Sequence, residues 1–315
     1  MTEYSLPPLD LDVLARKIGA LPASSKVILD LLRVIDANEI SATALAEIVS
    51  RDQAIVVRLL RIANSSFYGL PGRVDSVIDA IAILGWRQVR NLATGIAIFQ
   101  TFSQVKAPGF DFIQFGRHSV AVAVGTRVLA SRMKLCEGSA FVAGLIHDVG
   151  RVAVAQASPE HTAAIARHRD CNACSLAESE RAVQGIDHAR IGGALAERWH
   201  FPSVICDAIA AHHGIEDDPE RSFTPLARAV GLANALDHCR NEHTDPEIQQ
   251  ECLSRLPWEK ANLSADDGKK ALAAIELEQE FLCGMLMDRA DGQQRVTILR
   301  LAGRTPPHRR GEHRR

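Results

Sequence analysis

The stretch "AGLIHDVGRVAVA", residues 143–155, sets His147 and Asp148 side by side in an otherwise small and apolar run. A carboxylate in such surroundings must be paired, protonated or bound to a metal, because moving a lone charge out of water is very costly. Eight of the twelve histidines fall between residues 118 and 213. His118 lies within one amphipathic pattern, His147 and Asp148 end a second, His188 opens a third, and His212 with His213 ends a fourth. A mixed histidine and aspartate set suits iron, manganese or zinc. Neighbouring residues on a helix diverge by about 100°. His147 and Asp148 therefore address one ion only from the centre of a bundle, with other helices supplying the remaining ligands. A single helical histidine is usually an ordinary packed or solvated residue; five at helix ends with an aspartate make a metal centre the sharper expectation.

Elements able to position these groups are helical. In "SSKVILDLLRVID" the apolar positions 27, 28, 31, 32 and 35 form one stripe, and "DQAIVVRLLRIAN" repeats it at 55, 56, 59, 60 and 63 behind the capping Asp52. "SVIDAIAILG" opens with Ser76 and Asp79 in capping-box spacing and closes on Gly85. No stretch alternates as a strand does, so the fold class is all-α. Helical patterning breaks at Pro108 and Gly109. This divides the chain into an N-terminal helical lobe (1–109), a histidine-bearing helical lobe (110–240), a helical extension (241–304) and a basic, disordered tail (305–315).

With 315 residues, 47% hydrophobic content and a formal charge of −2, the chain has material for one large or two smaller cores. That charge disfavours a broad nucleic-acid surface, and no apolar run reaches membrane-span length, so neither nucleic acid nor membrane is expected as a partner. "MTEYSLPPLDLD" lacks the basic-then-apolar pattern of a signal peptide, which gives a cytoplasmic expectation. Seven scattered cysteines, at 136, 171, 174, 206, 239, 252 and 283, read as reduced thiols. "CNAC" (Cys171 and Cys174) has no second pair to complete a zinc knuckle. Arg87 and Arg90 read as solvated charges.

The order His118, "HD" at 147–148, "HARIG" at 188–192 and "HH" at 212–213 resembles the HD superfamily of metal-dependent phosphohydrolases, especially its HD-GYP branch. Upstream, "LPASSKVILDLLRVID", "LAEIVSRDQAIVVRLLRIANSSFYG" and "AIAILGWRQVRNLA" resemble the lobe that distinguishes HDOD domains, the HD-related output domains of bacteria. This resemblance implies a two-lobed helical bundle whose C-terminal lobe is HD-like. It aligns His118, His147 and Asp148 with the first three metal-ligand positions, and His188, His212 and His213 with the extra histidines of the HD-GYP branch. Arg151 stands where that branch has lysine. Asn234 replaces an expected aspartate, with Asp237 one helical turn later and able to substitute only where helix geometry allows. The glycine-tyrosine-proline motif is absent, "HHGIEDDPE" following the paired histidines instead.

Such departures bear on chemistry, since carboxylates hold an ion, neutralise its charge and help to orient nucleophilic water. The implied function is a non-catalytic regulatory module in bacterial signal transduction, acting through a protein partner and tuned by a bound metal or small ligand. The alternative is an HD-type phosphohydrolase or phosphodiesterase acting on a nucleotide. Homo-oligomerisation is compatible with either. Asn64 and Ser65, in "RIANSSFYG", read first as a helix end and turn, and second as a contact to the other lobe.

Overall fold

The structure, a computed structural model, describes residues 6–18, 25–34, 40–64, 74–103, 105–214, 223–242 and 245–287. The first lobe contains α2 (Ser25–Arg33), α3 (Ala42–Val49), α4 (Gln53–Ala63), α5 (Val77–Leu84) and α6 (Trp86–Phe102), preceded by α1 (Leu11–Ile18). The second contains α7 (Phe112–Arg132), α8 (Glu137–Ile146), α9 (Val149–Ala157), α10 (Pro159–Asn172), α11 (Leu176–Gln184), α12 (His188–Arg198), α13 (Ser203–Ala210) and α14 (Pro225–Glu242). Then come α15 (Pro246–Arg255), a 3-10 turn (Trp258–Ala261) and α16 (Ala265–Leu286). No β-strand occurs among the described residues. The all-α expectation holds.

Local signals act where the sequence places them. Asp52 accepts from the backbone N–H groups of Ala54 and Ile55, starting α4, and Ser76 accepts from Asp79 N–H, starting α5. Gly85 ends α5 at φ 82°. The chain turns at Pro108–Gly109 between α6 and α7, as the pattern break predicts.

The buried core runs continuously from Leu14 of α1 to Leu286 of α16. Helix α1, although upstream of the turn at 108–109, packs on α9 and α12, and Lys17 donates to the Ala157 carbonyl at 3.1 Å. Helix α16 lies against α7 and also touches α4 and α6. Phe99 of α6 packs edge-on against Phe112 and Phe115 of α7, with ring centroids 6.3 and 6.4 Å away. Burying each such ring contributes roughly 1.5–3 kcal/mol, enough to hold the lobes together as one unit.

Two glycines set the approach of the helices that carry the HD pair. A Cβ on Gly144 of α8 would come within 2.8 Å of Ala123 Cα and Val122 O on α7. On Gly150 of α9 it would collide with the His188 carbonyl oxygen and reach 2.9 Å from Gly192 N, on α12. These positions admit only glycine because backbone meets backbone. The stretch 137–157 is apolar and long enough to cross a membrane, yet 94% of its most apolar window is buried inside the protein.

Three readings need correction or relocation. Arg90 is not solvated: it is 1% exposed, donates to the Val34 carbonyl at 3.0 Å, and lies 5.1 Å from the Trp86 ring centroid. A cation beside the carbonyl end of α2 interacts favourably with the helix dipole, which periodicity alone does not reveal. Arg87 does remain exposed. Nor are all the cysteines reduced, because Cys239 and Cys252 form a disulfide between α14 and α15. Asn64 ends α4 as first read, while its second reading as a lobe contact gives way to a local role: its amide donates to Val74 O and accepts from Val74 N–H. Ser65, residues 288–304 of the extension and the basic tail 305–315 lie outside the described residues.

Replacing Gly150 with alanine is expected to cost about 3 kcal/mol, the upper end for overpacking. Gly85→Ala, where nothing lies within 4 Å of the new Cβ, is expected to cost only the penalty of a positive-φ, extended-ψ backbone, about 1–3 kcal/mol, with no packing contribution. Chemical denaturation of the two variants checks the difference.

Candidate metal centre

Helix ends deliver the site. His118 comes from the first half of α7; His147 follows the last residue of α8, and Asp148 precedes the first of α9. His188 is the first residue of α12, and His212 and His213 follow α13. The structure brings all six together. His147, Asp148, His188 and His212 are buried, and His118 keeps 12% of its side chain exposed.

Four of the five rings are oriented from behind. His147 Nδ1–H donates to the Gly144 carbonyl at 2.8 Å and His212 Nδ1–H to the Ile209 carbonyl at 2.7 Å, in each case a carbonyl three residues back along the chain. His118 Nδ1–H donates to Asp237 Oδ2 at 2.7 Å, and His188 Nδ1–H to Glu180 Oε2 at 2.5 Å. A neutral imidazole that donates through Nδ1 presents a lone pair at Nε2. Four Nε2 atoms are thus turned inward, around the Asp148 carboxylate. Asp148 Oδ1 lies 3.0 Å from His188 Nε2, 3.4 Å from His147 Nε2 and 3.6 Å from His212 Nε2; Oδ2 lies 3.8 Å from His118 Nε2.

Nitrogen faces nitrogen at two places: His118 Nε2 to His147 Nε2 at 3.1 Å, and His213 Nε2 to His188 Nε2 at 2.9 Å. Two lone pairs at that separation repel unless a proton or a metal cation lies with them. His212 Nε2 is buried without a hydrogen-bond partner, an acceptor aimed at the same centre. Ligand atoms of His118, His147 and Asp148 form one group spanning no more than 4.8 Å, and those of His188, His212 and His213 a second. Asp148 lies between them. The donor set fits a divalent ion at either group.

Protonation follows the same geometry. Burial pushes His147 down to about 3, with the neighbouring His118 adding to the effect. Burial likewise holds His212 well below its ordinary value. Both stay neutral near pH 7, as ligands must. Burial also acts against a charged His188, but the Glu180 and Asp148 carboxylates prevail and raise it to about 10. A proton on His188 Nε2 therefore occupies the same place that a metal ion would take. Burial disfavours an ionised Asp148 too, yet His147, Arg151 and His188 hold its carboxyl well below the usual range.

Among the further candidates, Arg151 donates through Nη1 to Asp148 Oδ2 at 2.6 Å and keeps 28% of its side chain exposed. Asp237 does not stand in for the missing ligand. Both its oxygens are engaged behind His118: Oδ2 by His118 and by Asn241 Nδ2 at 2.9 Å, Oδ1 by Arg240 at 2.6 Å. Asn234, one turn earlier on α14, is 1% exposed, and both polar atoms of its amide lack a partner. Asn64 is not part of this centre. Sequence reasoning missed Glu180, whose signal is a carboxylate on the buried stripe of α11 (Ala177, Glu180, Val183). It also missed His238, an exposed ring 5.2 Å from that of His118.

Comparison with known proteins agrees with this architecture. Residues 21–215 match the HDOD domain family. The chain belongs to that family. Among solved structures, an HDOD domain protein of unknown function from Geobacter sulfurreducens superposes with a TM-score of 0.73 at 23% identity, over 88% of this chain and 96% of that one. A Shewanella amazonensis SB2B protein assigned as a phosphohydrolase gives 0.70 at 24% identity, over 87% and 98%. At these identities the likeness shows the shared fold. Curated relatives include an uncharacterised protein of Treponema pallidum (strain Nichols), 26% identical over 70% of this chain and 43% of the relative. Ribonuclease Y of Lactobacillus gasseri is 32% identical over 58% of this chain and 28% of the relative. The HDOD chain thus spans less than half the length of these curated relatives, and it is an HD-type module by fold.

Since groups that orient metal ligands from behind typically contribute 10–100-fold to metal affinity, Glu180→Leu and Asp237→Leu are each expected to weaken zinc binding by about that factor. Competition against a chromophoric chelator measures it. A carboxylate on the exposed face, such as Glu276, serves as the neutral control.

Proposed function

We propose that this HDOD protein is a regulatory module that holds a divalent ion of iron, manganese or zinc in its second lobe and reports the state of that centre to a protein partner, without turnover. The observation that carries the metal reading is geometric: four histidines are each bonded through Nδ1 to a carbonyl or carboxylate, so that Nε2 faces Asp148. His118, His147 and Asp148 would hold one ion, and His188, His212 and His213 are placed for a second beside the same carboxylate. A bound ion supplies Lewis acidity and activates water.

Against hydrolysis stands the distribution of negative charge. Asp148 is the one carboxylate among the six inward-facing groups, Asp237 is engaged behind His118, and the position expected to be acidic is Asn234. Imidazole-rich donors leave most of an ion's charge in place; what disfavours turnover is the missing carboxylate that would hold the ion and orient the attacking water.

A second reading, a metal-dependent phosphohydrolase acting on a nucleotide, is favoured by one feature. Arg151 is partly exposed beside Asp148, where a guanidinium would meet a phosphate bidentately. Of the enzymatic names among the relatives, ribonuclease Y belongs to a protein matched over 28% of its length, and the Shewanella phosphohydrolase, at 24% identity, shares the fold.

Elemental analysis of untagged protein purified without chelator is expected to find iron, manganese or zinc, lost in His147→Ala and Asp148→Ala. At a hundredfold excess of metal over Kd the ion contributes about 2.7 kcal/mol, so the stripped protein is expected to melt about 4 °C lower. Hydrolysis of bis(p-nitrophenyl) phosphate and of cyclic dinucleotides is expected to stay at the level of the stripped protein. Metal-dependent turnover that vanishes in Asp148→Ala would replace the regulatory reading with the enzymatic one. Absence of any metal, even after reconstitution with zinc, manganese or ferrous iron, would remove both.

A further inference from the structure

We infer that the Cys239–Cys252 disulfide is a redox-controlled staple on the metal centre, and that its reduction loosens the hold on His118. The last link rests on the proposed metal reading; the mechanical coupling does not. Cys239 is buried on α14, two residues beyond Asp237, and Cys252 is half-buried on α15, with Cα atoms 5.8 Å apart. Besides the disulfide, α15 is held by a Gln249 contact to α14 and by Leu253, whose carbonyl accepts from Trp258 Nε1–H at 2.8 Å. Of its residues only Leu253 is buried, and Ile248 is 47% exposed. One buried leucine does not offset the entropy of ordering a ten-residue helix, so the covalent link carries much of the attachment.

A line of bonded groups leads from that helix to a ligand ring. Gln249 Nε2 of α15 donates to the Arg240 carbonyl at 3.0 Å. Arg240 Nη2 donates to Asp237 Oδ1 at 2.6 Å, and Asp237 Oδ2 accepts the His118 Nδ1–H. Detaching α15 removes the Gln249 contact and frees the end of α14. Arg240 and Asp237 then lose their fixed geometry, and with it the reason for His118 to keep Nε2 inward.

The redox step is thiol–disulfide exchange with a dithiol reductant. Its thiolate attacks Sγ of Cys252, the more exposed sulfur; Cys239 leaves as a thiolate and takes up a proton. The second thiol of the reductant then displaces Cys252. Two electrons and two protons pass to the protein, and the reductant departs as a disulfide. A disulfide oxidant reverses the sequence. The CNAC pair lies apart from this line: Cys174 Sγ contacts Ser179 Oγ at 3.1 Å, and Cys171 is exposed.

The test compares full-length protein purified without reductant, the same protein reduced with a phosphine, and Cys252→Ser. Peptide mapping is expected to find residues 239 and 252 linked. Reduction is expected to raise amide exchange at least tenfold over 245–256 and 237–242, to raise it measurably around His118, and to speed zinc transfer to a chelator at least tenfold. Cys252→Ser is expected to match the reduced protein with or without phosphine, and Cys174→Ser to behave as wild type. Unchanged exchange over 237–256 on reduction overturns the staple, and so do Cys239 and Cys252 that stay alkylatable after treatment with diamide. Changed exchange at α15 with unchanged exchange at His118 and unchanged zinc release overturns the coupling. Should the protein hold no zinc in any state, the metal reading fails, and exchange around His118 alone decides this inference.

Discussion

The second lobe is organised around the cost of burying Asp148. Its carboxylate is 3% exposed, and an ion withdrawn from water carries an effective penalty of several kcal/mol unless partners are fixed in place. Arg151 and His188 supply those partners at 2.6 and 3.0 Å. The surrounding imidazoles need partners of their own, and His118, His147, His188 and His212 each find one on the outer nitrogen. Two use carbonyls one turn back, available because His147 and His212 stand at helix ends where carbonyls lack intrahelical donors. The other two use carboxylates from helices later and earlier in the chain, Asp237 and Glu180. Helix termini converging on a buried charge also explain the glycines: Gly144 and Gly150 let α8 and α9 approach α7 and α12 closely enough for these bonds to form.

What the sequence disclosed, and what it did not, divides along the range of the interaction. Helices with a clear apolar stripe and a cap, such as α4 behind Asp52 and α5 behind Ser76, are legible because both signals are local. The six residues of the centre are legible as a set because histidine and aspartate are unusual at buried helix ends. Their partners are less so. Asp237 reads along the chain as a substitute ligand for Asn234, and only the packing of α14 on α7 puts it behind His118 rather than beside it. Glu180 sits on the buried stripe of α11, where a carboxylate is out of place, but nothing local says which histidine it meets. Arg90 looks like a surface charge because the Val34 carbonyl at the end of α2 that fixes it is remote in sequence, although the Trp86 ring lies one turn back on the same helix. Cys239 and Cys252 are ordinary scattered thiols until two helices align them.

The same centre can be described by charge. The Glu180 and Asp148 carboxylates on either side of His188 favour its protonated form, and a divalent ion bound at His188 Nε2, as proposed, would displace that proton. That exchange makes the centre two-state: one state holds a proton between two carboxylates, the other a metal among neutral imidazoles. The difference is chemical and local, yet it bears on four helices, because four of the five rings are fixed to a backbone carbonyl or a carboxylate on their own or a neighbouring helix. A ligand shifts a conformational equilibrium only by its differential contacts with two states, and here the differing contacts are those of His188 with Asp148 and of His118 with Asp237.

Helix α14 is where such a difference can leave the centre. Its inner face packs on α7, with Ala233 against Gly125, and carries Asn234 and Asp237. Its far end carries Arg240 and Cys239, which meet α15. A rigid helix with a ligand-orienting carboxylate in its middle and a tether at its end transmits displacement in both directions, since coupling between sites is reciprocal by thermodynamic necessity. Metal held through His118 must therefore favour the attached position of α15 by the same free energy with which attachment favours the metal.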